Sequence, residues 1–180
     1  MAVTPDPDHA LLAAVAHGDR TAARQLVERK LPRLIGLAVR LLRDQAEAED
    51  IAQETFVRVW KMAPQWKPGP TKFDTWMHTV ALNLCRDRLR RSRRTELGEV
   101  PEQIDPAPAA DSKIETDQRA LAVRAALHRL PDRQREALVL QHYIELSNIE
   151  AAQVMGISVE ALESLLARGR RHMRDLLGDI

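Results

Sequence analysis

The sequence predicts an all-α protein: two small helical domains joined by a flexible acidic linker, the C-terminal one containing a helix-turn-helix. Three observations carry that expectation. Apolar residues, mostly Ala, Leu and Val, recur at helical spacing through nearly all of the 180 residues, and nothing reads as a strand. Aromatics make up only 3% and there are seven glycines, a mix that favours helices over sheets. The formal net charge of +1 conceals three blocks: residues 1–94 carry 17 Lys/Arg against 11 Asp/Glu, residues 95–116 carry 1 against 6, and residues 117–180 carry 9 against 9. A basic block, an acidic strip and a neutral block set the expected division into a domain over 1–94, a linker over 95–116 and a domain over 117–180.

The elements follow in order. Asp8 or a neighbour caps a short helix to about His17, where Gly18-Asp19 ends it and starts another. Ala23, Leu26, Val27 and Leu31 carry the second helix; Pro32 is expected to kink or restart it, and Leu34, Leu37, Ala38, Leu41 and Leu42 continue the stripe. Asp44 with Glu47 three residues on is a capping-box pattern that opens a helix to about Met62. "APQWKPGPTKFD", with three prolines and a glycine, is a loop, and Asp74 caps a helix over about 75–93. Residues 95–116 contain Pro101, Pro106 and Pro108 and little periodicity, as a linker should. Four helical patterns follow, at about 117–129, 132–143, 148–155 and 159–177.

Composition also excludes classes of function. Cys85 is the only cysteine, so neither an intrachain disulfide nor a cysteine-based zinc site can form, and a packing role suits it better than a redox one. The six histidines lack ligand spacing, so no metal is expected. There is no phosphate loop and no Ser/Cys–His nucleophile pattern, so no catalytic residue and no cofactor are expected. No apolar run approaches the roughly 20 residues a bilayer span needs, and the N-terminus lacks a secretory pattern, so membrane insertion is not expected and a cytoplasmic location is.

Ser147-Asn148-Ile149-Glu150 is a second capping box, Gly156 makes a turn and Ser158 caps the next helix, which is helix-turn-helix spacing. On a helical wheel Val159, Leu162, Leu166, Gly169, Met173 and Leu176 form the buried stripe. The opposite side presents Glu160, Ala161, Ser164, Ala167, Arg168 and Arg171. Arg168, Arg170, Arg171 and Arg174 are the candidates for phosphate contacts. Two carboxylates near the front of such a helix have two readings each. Glu160 complements the helix macrodipole or accepts from a cytosine amine; Glu163 faces solvent or orders a basic neighbour.

In the N-terminal block, Phe56, Trp60, Trp66, Phe73 and Trp76 lie within 21 residues. Phe56 and Trp60 fall on an apolar stripe and read as core. Trp66, beside Lys67 and Lys72 in the loop, reads equally as a stacking platform for an unpaired base or as an anchor plugged into the core. Thr79, Asn83, Arg86, Arg90 and Arg93 share one face of the following helix, an Asn in line with a cationic run that has almost no acid partners, which suits nucleic acid. The preceding helix turns Glu47, Asp50, Gln53, Glu54, Val57 and Arg58 outward, a mixed face with an exposed Val that suits a protein partner.

Taken together, "AEAEDIAQETFVRVW", "KFDTWMHTVALNLCRDRLRR", "ALHRLPDRQREALVLQHYIELSNIEAAQVMGIS" and "SLLARGRRHMRDLL" resemble a bacterial RNA polymerase sigma factor, and the size and layout resemble the extracytoplasmic-function group. The resemblance implies partners: core RNA polymerase, through its β′ clamp helices and its β subunit, promoter DNA, and an anti-sigma factor. It places Asp50, Gln53 and Glu54, with Val57 beside them, on the helix that docks on the clamp helices. It makes Ala63 to Lys72, with Trp66, Lys67 and Lys72, the segment that captures a flipped base of the −10 element. Thr79, Asn83, Arg86 and Arg90 then hold promoter DNA, with Trp76 packing behind them. The C-terminal module resembles the reader of the −35 element, with Glu160, Ala161, Ser164, Arg168, Arg170 and Arg171 at its surface, and the acidic linker resembles those that thread toward the RNA exit path. Where members often carry a basic residue and an Arg, this chain has Glu163 and Leu165, so the family's −35 preference does not carry over. Two other functional classes fit the residues taken singly. A self-sufficient DNA-binding regulator would bind duplex without polymerase, and a protein adaptor would have no need of two basic surfaces.

Overall fold

A computed structural model describes residues 6–67, 69–96 and 114–178; most of the expected linker, residues 97–113, lies outside them. The described residues form α1 (His9–Ala16), α2 (Arg20–Leu42), α3 (Gln45–Met62), a short 3-10 turn (Ala63–Gln65), α4 (Phe73–Glu96), α5 (Ile114–Arg129), α6 (Asp132–His142), α7 (Asn148–Met155) and α8 (Val159–Leu177), with no strand among them. The all-α expectation holds, and most helix ends fall within a residue or two of the expected ones.

The caps explain the boundaries. Gly18 takes φ +84°, which ends α1 where a β-carbon would be strained, and the Asp19 carboxylate then accepts from the N–H groups of Thr21 (2.8 Å) and Ala22 (3.1 Å) to start α2. Arg43 closes α2 in a left-handed conformation and Asp44 caps α3 by accepting from Glu47 N–H at 2.9 Å. The Glu47 carboxylate itself turns to Arg88, 3.6 Å away. Ser147 and Glu150 form both arms of the expected capping box on α7, Gly156 turns at φ +66°, and Ser158 caps α8 through Ala161 N–H at 3.2 Å.

Two expectations fail in detail. Pro32 neither kinks nor restarts the second helix, because α2 runs unbroken from Arg20 to Leu42. Proline removes one helical N–H, but the turns on both sides are held by buried Leu26, Lys30, Leu34 and Leu37, and tertiary packing overrides the local preference. Asp74 is not the cap of α4 either. The helix begins at Phe73, whose N–H donates to Asp6 Oδ2 at 2.7 Å, and Asp74 sits in the first turn facing Lys30. A carboxylate 67 residues upstream supplies the cap, and no local pattern announces it.

The core is one continuous apolar cluster that includes Leu34, Phe56, Met77 and Leu82 from the first half and Leu127, Leu140, Ile144 and Leu162 from the second. Within the first half α2 packs on α3 and α4; within the second α6 packs on α8; and α7 lies on α4 while α5 and α6 reach α2. The two halves therefore meet directly as well as through the linker.

Candidate nucleic-acid and polymerase interface

α3 buries Ile51, Ala52, Thr55, Phe56 and Val59, which leaves Asp50, Gln53, Glu54 and Val57 on its outer side, all exposed. Val57 keeps 48% of its surface in water, and Glu54 holds Arg58 at 2.7 Å one turn on. Asp50 lies 4.0 Å from Arg88 of α4. The outcome is an acidic, amide-bearing strip with an apolar residue at its centre, as the sequence suggests for a protein partner.

The loop after α3 is seated by aromatic packing. Trp66 is half-buried, its ring centroid 5.5 Å from Phe73 in an edge-on arrangement and 5.8 Å from Trp76, and its indole nitrogen is buried. Trp66 thus packs as a loop anchor does while part of its surface stays open, and Lys67 and Lys72 are exposed. Beneath the loop, Lys30, only 6% exposed, sets its ammonium 2.5 Å from Asp8 Oδ2 and 2.8 Å from Asp74 Oδ1. Arg29 joins Asp8 at 3.0 Å, and the buried His78 donates from Nδ1 to the Asp74 carbonyl at 2.7 Å. Burial holds the His78 pKa below its ordinary value, with Asp74 opposing. This network ties α1 and α2 to the first turn of α4.

On α4, Met77, Ala81, Leu82, Leu84 and Cys85 point into the core. Cys85 is fully buried, and burial, reinforced by Glu136 and Glu47, pushes its thiol up to about 12, so it packs as a small apolar residue. The opposite edge carries Thr79, whose hydroxyl donates to the Thr75 carbonyl at 2.9 Å, exposed Asn83, then Arg86, Arg90 and Arg93. The expectation that this cationic run lacks acid partners is wrong. Arg86 makes a two-pronged pair with Glu136 of α6 (3.0 and 2.8 Å), Arg93 reaches Asp132 of α6 at 2.5 Å, and Arg90 pairs with Asp87. The acids that count come from the other half of the chain, where local sequence cannot reveal them.

In the C-terminal module, α8 buries Leu162, Leu166 and Gly169, while Glu160, Ala161, Ser164, Ala167, Arg168, Arg170 and Arg171 are exposed. At Gly169 an added β-carbon would lie 3.0 Å from Leu138 Cδ1, so glycine lets α8 close on α6. The Glu160 carboxyl is held below its ordinary value by its own backbone N–H and the Ser158 hydroxyl, the macrodipole reading of that residue. Glu163 accepts from Asn148 Nδ2 (3.3 Å), Asn148 Oδ1 accepts from Gln141 (2.9 Å), and Gln141 Oε1 accepts from Arg170 (3.5 Å). The carboxylate and the arginine two turns apart are thus joined through α7 and α6. Among the described residues no group of three or more His, Cys, Asp or Glu could hold a metal ion, and no helix is long and apolar enough to cross a membrane.

Residues 26–95 match the family model for Sigma-70 region 2, and residues 120–173 match that for Sigma-70 region 4. CarQ, an RNA polymerase sigma factor of Myxococcus xanthus, is 34% identical over 164 residues, covering 91% of this chain and 93% of its own. The chain belongs to the extracytoplasmic-function sigma factors. The group's SigE from Mycolicibacterium smegmatis is 37% identical over 169 residues, 90% of this sigma factor, which spans 65% of that relative's length. Among solved structures, CnrH in complex with the cytosolic domain of CnrY superposes with a TM-score of 0.70 at 30% identity, covering 94% of this chain and 96% of that one. RpoE of Bartonella quintana, in complex with the anti-sigma factor NepR, gives 0.72 at 25% identity over 87% and 98%.

In this sigma factor Lys72 of the loop and Arg86 and Arg93 of α4 all meet acids of the second half, Glu150, Glu136 and Asp132, while the α3 strip of Asp50, Gln53, Glu54 and Val57 stays exposed. Sequence reasoning missed the residues that join the halves: Arg33, which donates to the Ile144 carbonyl, Arg40, whose guanidinium lies 4.0 Å from the Tyr143 ring centroid, and the acids Asp132, Glu136 and Glu150. Only the exposed aromatic Tyr143, 39% accessible and the one tyrosine, offered a signal.

Proposed function

We propose that this sigma factor binds core RNA polymerase, directs it to promoters through −10 and −35 elements, and assists melting by holding unpaired bases, under the control of an anti-sigma factor. The observation that supports this best is that one chain carries both sigma-70 regions in order, with an exposed acidic strip on α3 and a cationic edge on α4. In this reading residues 1–94 serve the polymerase and the −10 element, 95–116 are the linker and 117–180 serve the −35 element. Asp50, Gln53, Glu54 and Val57 meet the β′ clamp helices. Lys67, Lys72, Thr79, Asn83, Arg86 and Arg90 meet −10 DNA over a loop anchored by Trp66. Ala161, Ser164, Arg168, Arg170 and Arg171 meet −35 DNA, with Glu160 at the helix front. The β subunit completes the polymerase contact. The protein acts in the cytoplasm and supplies no catalysis of its own; the polymerase performs the chemistry.

Relatives support the control. CnrH is solved with the cytosolic domain of CnrY, and RpoE with the anti-sigma factor NepR, so this fold accommodates such partners. The test is co-migration with bacterial core polymerase and transcription from genomic fragments. Transcripts that depend on this chain are expected; no association by folded protein with active core would overturn the proposal. Within it, Arg86→Ala with Arg90→Ala should weaken promoter complexes while sparing assembly, and Asp50→Ala with Gln53→Ala should do the reverse. Loss of assembly from the arginine changes alone would show that the two faces are misassigned.

A further inference from the structure

The ends of α2 and α5, the last turns of α4 and the start of α6 border a cavity of about 720 Å³ whose charge does not balance. Among the described residues lining it, the guanidinium groups of Arg43, Arg93, Arg129 and Arg135 stand against one carboxylate, that of Asp132. Asp132 already divides itself between Arg135 at 2.8 Å and Arg93 at 2.5 Å. Arg135 is only 6% exposed; its other contact is the His128 carbonyl at 3.4 Å, and its Nε is buried without a hydrogen-bond partner. Burial removes the water that would otherwise disperse the excess charge. His128, which also lines the cavity, stays neutral: burial, helped by Arg43, Arg135 and Arg124, pushes it down to about 4.

Helix ends account for part of this charge and not for the rest. Arg43 and Arg129 close α2 and α5, where a cation complements the last carbonyls. Arg93 and Arg135 meet at the opposite kind of end, the start of the 11-residue α6, which has no side-chain cap and whose dipole disfavours cations. Asp132 offsets one positive charge of the two. The corner is therefore built for a further anion.

The same cavity is lined by Leu42, Leu89, Leu130 and Pro131. Its size falls in the range of roughly 300–1,000 Å³ usual for small-molecule sites, which join an apolar wall to a few fixed charges. A nucleic-acid backbone would meet the exposed Arg43 and Arg129 but not the recessed Arg135. We infer that this junction binds a nucleoside polyphosphate, its phosphates held by Arg43, Arg93, Arg129 and Arg135 at the start of α6 and its base laid on Leu42, Leu89 and Leu130. The site is separate from the α3 strip and from the proposed DNA contacts and rests on neither. An aliphatic wall without polar side chains distinguishes one base from another only weakly.

The experiment is calorimetric titration of the full chain with ATP, in magnesium-free buffer at fixed ionic strength. GTP, inorganic tripolyphosphate and a short mixed-sequence duplex are the comparison ligands. Arg43→Asn with Arg129→Gln removes the two exposed cations; asparagine suits position 43, where φ is +68°. Arg20→Gln with Arg24→Gln, exposed at the far end of α2, is the control of equal net charge. Asp132→Asn removes the competing carboxylate. Circular dichroism establishes that each is folded.

ATP is expected to bind at one saturable site, on the order of tenfold more weakly in the Arg43–Arg129 variant and within about twofold of wild type in the control. GTP should match ATP within about threefold, and tripolyphosphate, which leaves the aliphatic wall uncovered, should bind on the order of tenfold more weakly. Asp132→Asn should bind ATP more tightly. In the wild type the His128 ring resonances should shift with the same half-saturation, a readout that needs no variant to fold. Absence of saturable ATP binding would overturn the inference, as would equal losses in the variant and its control, or His128 resonances that do not move. Tripolyphosphate binding as tightly as ATP would remove the base from the site. Duplex affinity falling as far as ATP affinity in the Arg43–Arg129 variant would make these cations backbone contacts for DNA and would overturn the inference too.

Discussion

Replacing Lys30 with methionine tests how the surface around the 63–72 loop is supported from below. The ammonium lies 2.5 Å from Asp8 and 2.8 Å from Asp74, in a lysine that is 6% exposed, and Asp8 is 1% exposed. Removing one partner of a buried ion pair costs about 3–5 kcal/mol, because the charge left behind is neither solvated nor matched. Asp8 keeps Arg29 at 3.0 Å and Asp74 keeps Arg33 at 3.6 Å, so the expected loss sits at the low end, about 3 kcal/mol. Methionine is close in volume, which keeps cavity formation small. Urea unfolding at neutral pH gives the value. The pH dependence gives the cause: burial raises the Asp74 carboxyl, but His78, Lys30 and Arg33 outweigh it and leave its pKa below the ordinary value. A depressed carboxylate contributes stability that is full above its unfolded pKa and is lost as pH falls through the folded one. The gap between wild type and Lys30→Met should therefore be full near pH 7 and shrink below about pH 4. A loss under about 1 kcal/mol, the scale of an exposed pair, would refute the reasoning, as would a gap that does not change with pH.

Two further predictions concern groups outside the proposed contacts. Burial, aided by the positive charge of Arg43, Arg135 and Arg124, pushes His128 down to about 4, and its Nδ1 is buried without a hydrogen-bond partner. Because the unfolded histidine takes up a proton first, its contribution to stability is intact above about pH 6.5 and declines as pH falls toward 4. His128→Gln should flatten the melting temperature between those limits; an unchanged slope would clear His128 of the effect. The Cys85 thiol, pushed up to about 12, should resist iodoacetamide at pH 8 in the folded chain and react fully in denaturant. Rapid native alkylation would show that α4 opens locally.

What the sequence made legible follows the range of the interactions involved. Helices, caps and faces depend on neighbours within four residues, so Ser147 with Glu150, Ser158 before α8 and the buried Leu162–Leu166–Gly169 stripe could all be read directly. The outward position of Asp50, Gln53, Glu54 and Val57 follows from the same periodicity. Pro32 misled because its local cost is outweighed by buried leucines on either side. Asp74 misled because a carboxylate has two uses at a helix start, and the choice was made by Lys30, 44 residues upstream. The largest error concerned α4. Its arginines looked unpartnered because Asp132 and Glu136 belong to a block whose own charges balance, so nothing in either segment alone indicated the pairing.

That balance explains the distribution of acid in the C-terminal half. Asp132, Glu150 and Glu160 all stand in first turns, where a carboxylate complements the exposed N–H groups of its own helix. Glu160 is exposed at the start of α8. Asp132 and Glu150 lie where α6 and α7 begin against α4 and the loop, so each meets a cation as well, Arg93 in one case and Lys72 in the other. A helix start is already the favoured place for a carboxylate, so building an acidic surface there needs no residue that the local fold would reject. The same residues that make the helix-turn-helix legible thus also fit it against the basic edge of the first half, and the net charge of a segment says little about the charge of the face it turns toward its neighbour.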